Sequence, residues 1–138
     1  IGGTIDRVDK TGTGVRIIDY KTGKDEVSFQ SVESLFSAHT KRNKAAFQTL
    51  YYSLVFKKKE TYLGRIWPGL YNKQILFSER KFGLLQGGKI VDAMELLPEF
   101  EIRLKTVLSG LFSPEGVFNQ TDNKKNCVYC SFKGLCRR

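Results

Sequence analysis

The sequence predicts an α/β domain, a mixed β-sheet flanked by helices, finished by a cysteine-bearing tail. Three observations carry that expectation: two β-prone runs around a glycine turn at the start, helical spacing of apolar residues in two later stretches, and cysteines confined to the end of the chain. At 138 residues, 41% hydrophobic and 12% aromatic, the chain is of single-domain size with enough apolar matter for one packed core, which argues against disorder. A single domain over 1–138 is expected, with the α/β core in 1–112 and a basic, cysteine-containing tail in 113–138.

Residues 1–9 and 15–21 are β-prone and flank Lys10-Thr11-Gly12-Thr13-Gly14, a hairpin signal. From about residue 40 to 56 the apolar positions Phe47, Leu50, Tyr51, Leu54 and Val55 follow the spacing of a helix with one buried face. Lys57, Lys58 and Lys59 then put positive charge at its C-terminal end, where the helix dipole favours it and where a solvated helix end is the simple reading. Residues 62–67 and 70–77 read as two strands interrupted at Pro68-Gly69, because proline cannot donate to a central ladder. A second helix is expected from about Pro98, suited to a first helical position, through Phe100, Leu104, Val107, Leu108 and Leu111. Ser113-Pro114-Glu115-Gly116 breaks that pattern. No repeat is present, and residues 61–111 carry no motif tied to chemistry.

Lys and Arg total 23 against 14 Asp and Glu, a formal charge of +9 that favours a polyanionic partner through counterion release. Nucleic acid is the first candidate, and simple solubility is the bland alternative. No stretch approaches the roughly 18 uninterrupted apolar residues of a membrane helix, and the opening Ile1-Gly2-Gly3-Thr4 has no signal-peptide pattern. A cytoplasmic protein without a membrane partner is expected. The chain begins without Met in a strand-like segment and reads as the carboxy-terminal piece of a longer one.

The chemistry is expected in Gly3-Thr4-Ile5-Asp6-Arg7-Val8-Asp9 and Ile17-Ile18-Asp19-Tyr20-Lys21-Thr22-Gly23. If Gly12 and Thr13 form a two-residue turn, Asp6 lies opposite Asp19, Thr4 lies opposite Lys21, and all four share a face. Opposed Cβ atoms are about 4.5–5.5 Å apart, where two carboxylates repel unless a cation or proton lies between them. Mg²⁺ or Mn²⁺ answers that need, with Asp6 and Asp19 as ligands and the Tyr20 carbonyl as a further oxygen. Lys21, two residues beyond Asp19 on the same face, is placed to orient an attacking water and stabilise charge on a phosphate. A surface hairpin with solvated or ion-paired side chains is the alternative reading of two Asp and a Lys alone.

These strands resemble the second and third nuclease motifs of the RecB, AddB and CRISPR-associated exonucleases within the P-D-(D/E)-x-K superfamily. That group carries Q-x-x-x-Y on the following helix, and Gln48-Thr49-Leu50-Tyr51-Tyr52 stands at the corresponding place. The resemblance implies a restriction-endonuclease-like core. It gives metal-binding and catalytic roles to Asp6, Asp19 and Lys21, with Gln48 and Tyr52, side by side at i, i+4, reaching toward the metal face or a DNA phosphate. In the family a helix bearing a His or Glu ligand precedes the first strand, and no such helix is found in these residues.

Cys127, Cys130 and Cys136 are odd in number and close no disulfide framework among themselves, so a metal site is expected. The spacing, with Tyr129 and Phe132 between, resembles the tail of AddB-like nucleases, in which an upstream cysteine completes a four-iron, four-sulfur cluster. Zinc with His39 as fourth ligand, and three free thiols, are the other readings. Lys124, Lys125, Lys133, Arg137 and Arg138 make the tail basic and are the expected DNA contacts.

Three functions compete. The first is a Mg²⁺- or Mn²⁺-dependent deoxyribonuclease, an exonuclease of recombination or repair with a helicase subunit or domain as partner. The second is a non-catalytic DNA-binding module with a metal-stapled tail. The third is an interaction domain that docks a helicase.

Overall fold

The computed structural model describes residues 2–37, 42–72 and 83–137. His39, Arg138, the first residues of the helix predicted from residue 40 and the end of the strand predicted over 70–77 lie outside them.

Gly12 and Thr13 form a two-residue turn joining β1 (Arg7–Thr11) to β2 (Gly14–Lys21). The pair is antiparallel, from Thr11 opposite Gly14 to Arg7 opposite Ile18, which is the register that turn dictates. After β3 (Ser28–Phe29) and a 3₁₀ turn at Glu33–Phe36 comes α1 (Lys44–Lys59), which crosses back to β4 (Ile66–Asn72). β4 runs parallel to β2, with Asp19 beside Leu70 and Lys21 beside Asn72. The sheet β1-β2-β4 is therefore mixed. β5 (Leu85–Gln86) and β6 (Lys89–Ile90) join β3 in a second three-stranded sheet, and α2 (Ala93–Leu111) follows.

Alternation along β2 sends Val15, Ile17, Asp19 and Lys21 to one face, and α1 packs against that sheet. The core gathers Val15, Ile17, Leu50, Leu54, Ile66, Leu70, Leu84, Leu97 and Phe100. Phe36, Phe47 and Phe100 close it as a three-ring cluster with centroids 5.1 to 5.2 Å apart, tying the 3₁₀ turn and both helices together. Two compact units result, Ile1–Val107 and Leu108–Arg138. The second holds the end of α2, a turn closed by Gly116 N–H on the Ser113 carbonyl, and a 3₁₀ turn at Lys124–Cys127 capped by Asn123.

Several local expectations are corrected. α1 begins at Lys44, because Asn43 caps it: its Oδ1 accepts the Ala46 N–H at 2.9 Å while its Nδ2 donates to the Glu26 and Ser28 carbonyls. Its buried face is rotated from the predicted stripe onto Ala45, Ala46, Thr49, Leu50, Tyr52, Ser53 and Leu54, leaving Phe47, Tyr51 and Val55 half-buried. Small residues let the helix approach closely, and Thr49 and Ser53 satisfy their hydroxyls on the carbonyls of Ala45 and Thr49.

The predicted break at Pro68-Gly69 is instead the middle of β4, and residues 62–65 precede that strand. Proline is tolerated there because a strand residue turns its N and C=O to the same side, and the Pro68 carbonyl receives Leu84 N–H at 2.8 Å. Its missing N–H thus faces away from β2.

α2 starts at Ala93, with Pro98 inside it rather than at its first position. Asp92 sets the start: its Oδ1 accepts the N–H groups of Met94 at 3.0 Å and of Ile66 at 3.2 Å, joining the helix end to the head of β4. Gly87 and Gly88, both at positive φ, form the β5–β6 turn.

Candidate active site

Asp19, Lys21, Gln48 and Tyr52 form one continuous polar chain where the end of β2 meets the first turns of α1. Asp19 is 2% exposed. Its Oδ2 lies 2.7 Å from Lys21 Nζ in a buried ion pair. Lys21 Nζ donates to Gln48 Oε1 at 2.7 Å, and Gln48 Nε2 donates to the Tyr52 hydroxyl at 2.8 Å. The parallel pairing of β2 with β4 and the packing of α1 create this arrangement, since Lys21 and Gln48 are far apart in sequence.

Asp6 stands one residue before the β1 ladder begins. Its carboxylate does not simply face Asp19 across the strands: Oδ2 accepts the Tyr20 N–H at 2.9 Å, taking the place of a further backbone acceptor. Burial pushes the Asp19 carboxyl above its ordinary range, Lys21 pulls it back, and Asp6 and Asp25 push it up again. A buried acid whose carboxyl is pushed up by burial and by two more carboxylates has the chemistry of a cation ligand. Mg²⁺ is commonly held by one or two carboxylates with waters completing the shell, so Asp19 and Asp6 fit that ion.

Among the described residues no group of three or more His, Cys, Asp or Glu side chains is arranged to hold a metal. Cys127, Cys130 and Cys136 are half-buried free thiols in the second unit and are not gathered into such a group. Lys124, Lys125, Lys133 and Arg137 are exposed in the same unit.

Asn72 carried no sequence signal of a role here. Asn72 is 2% exposed beside Lys21, and its Nδ2 donates to the Asp25 carbonyl at 2.6 Å, fastening the segment after the lysine. Only the β2–β4 pairing reveals this, and local patterning cannot show a parallel partner.

A mixed sheet and two helices, with an acid and a lysine two apart on a central strand, are consistent with a restriction-endonuclease-like fold. The sequence model of the PD-(D/E)XK nuclease superfamily matches residues 1–137, and the chain belongs to that superfamily. Its members are typically nucleases and commonly use divalent metals. No curated protein and no solved structure gives a significant match. No helix among the described residues is long and apolar enough to cross a membrane.

Proposed function

We propose that the chain is a Mg²⁺- or Mn²⁺-dependent deoxyribonuclease, an exonuclease of the RecB/AddB-like kind acting in recombination or repair. The observation that carries this reading is the buried Asp19 beside Lys21, whose ammonium also donates to Gln48. Asp19 and Asp6 would hold the divalent ion, which supplies Lewis acidity at the phosphate and lowers the pKa of the attacking water. Lys21, fixed between Asp19 and Gln48, orients that water and stabilises the negative charge gathering on the phosphate as the bond to the leaving oxygen breaks. The buried surroundings of Asp19 strengthen every such charge interaction.

In the tail, the cysteine spacing supports an iron–sulfur cluster, completed by a ligand outside these residues, with zinc as the competing metal. Anaerobic reconstitution should give a brown, sulfide-containing protein that Cys130→Ser bleaches. Stoichiometric zinc without iron would favour the competitor.

The test of the enzyme reading measures DNA affinity and single-turnover cleavage side by side at fixed salt. Lys21→Ala should leave affinity nearly intact and lower the cleavage rate by on the order of 10²–10³, the scale of losing one preorganised charge-stabilising group. Wild-type protein that binds DNA but cleaves neither ends, nicks nor single strands with either ion would instead make it a non-catalytic binding module.

A further inference from the structure

We propose that Gly3 is a positioning residue for Lys21, acting through Tyr52 and Gln48; this deepens the nuclease reading and rests on it. Gly3 lies in the segment that leads to β1, and its α-carbon is pressed against the Tyr52 ring. A Cβ at that position would stand 2.7 Å from Tyr52 Cε1, 3.4 Å from Cζ and 3.3 Å from the hydroxyl oxygen. Carbon atoms in contact normally keep about 3.5–4.0 Å, so a methyl group there must displace something.

Tyr52 has little room to yield. It is 8% exposed, rises from the interior of α1, and has Tyr51 at a centroid distance of 6.1 Å. Its hydroxyl accepts from one end of the Gln48 amide, and the other end of that amide accepts from Lys21. An amide is planar, so moving its nitrogen end moves its oxygen end. A shift of the ring therefore reaches the ammonium that sits 2.7 Å from Asp19 Oδ2. A lysine on a flexible four-carbon stem has no fixed direction of its own, and its aim comes from such partners. Only a residue without a side chain lets the chain pass this close while Tyr52 keeps Gln48 in line.

The competing route from Gly3 to the site is the backbone itself, since Asp6 is three residues further on. A double-mutant cycle separates the two. Tyr52→Phe keeps the ring but removes the hydroxyl link to Gln48. Gly3→Ala alone and Tyr52→Phe alone should each lower single-turnover cleavage, toward the 10²-fold scale that follows from misplacing a reacting group by about 1 Å. DNA affinity and the Mn²⁺ concentration for half-saturation should stay near wild type. The double variant should lose no more than the worse single one, because the link is already cut. Losses that multiply would place the effect on the backbone and overturn the proposal.

A second readout needs no activity. The Gln48 side-chain amide signals in ¹⁵N spectra should move in Gly3→Ala at an unchanged thermal midpoint. Unmoved signals, or a Gly3→Ala protein that no longer folds, would also overturn it. Wild-type protein that fails to cleave would remove the nuclease reading, while the amide signals would still decide whether Gly3 controls Gln48.

Discussion

Asp19 holds a carboxyl group at 2% exposure, where its ionised form is disfavoured. The folded protein binds that proton more tightly than the unfolded chain does. Stability from the group is present below its unfolded pKa and is lost as pH rises through the raised folded value. In chelator at neutral pH, Asp19→Asn should therefore be at least as stable as wild type, with its advantage shrinking on acidification. Adding Mn²⁺ should reverse the order: the wild-type thermal midpoint rises by mass action and that of Asp19→Asn does not. Equal stabilisation of both proteins would remove Asp19 from the metal site. The residue types and their spacing in Asp19-Tyr20-Lys21 and Gln48 to Tyr52 were legible in sequence. The direct Lys21–Gln48 contact was not, because it depends on how α1 lies on the sheet. Nor was the turn of Asp6 toward the Tyr20 N–H, which follows from the ladder stopping at Arg7.

Among the elements, those set by local chemistry were readable and those set by tertiary partners were not. The hairpin register follows from a two-residue turn, and the amphipathic pattern announces α1. The passage of β4 through Pro68 depends on which side Leu84 approaches, and the start of α2 depends on Asp92 also serving Ile66. The two helices are further joined by charge. Glu101 on α2 binds Lys105 one turn on at 2.8 Å and Lys58 of α1 at 2.9 Å, which holds its carboxyl down to about 2, with Lys105 the larger cause. A depressed carboxyl contributes stability above its unfolded pKa, near 4.5, and loses it as pH falls through about 2. Both lysines are exposed, so the network is worth no more than about 1 kcal/mol and is screened by salt. Glu101→Gln should destabilise by less than that at neutral pH, and the difference should vanish below pH 2 or in high salt. A larger loss that ignores salt would point to packing rather than charge.

Over the whole molecule, the acid–lysine chain lies within the unit Ile1–Val107, while the cysteines and their neighbouring cations lie in the unit Leu108–Arg138. None of the described residues of the second unit is buried. On the proposed reading, the cations there would act at a different stage from Lys21. Charges that meet phosphates set affinity and its salt dependence, whereas the rate of bond breaking depends on groups at the scissile phosphate. Replacing Lys124, Lys125, Lys133 and Arg137 together by Ala should weaken DNA binding and flatten the plot of log affinity against log salt. The slope should fall by up to about 3.5, at roughly 0.7–0.9 per lost phosphate contact. Single-turnover cleavage at saturating DNA should be unchanged. An unaltered slope would exclude these four side chains from the DNA interface. A slowed step at saturation would instead mean that the second unit places the scissile phosphate as well as holding the strand.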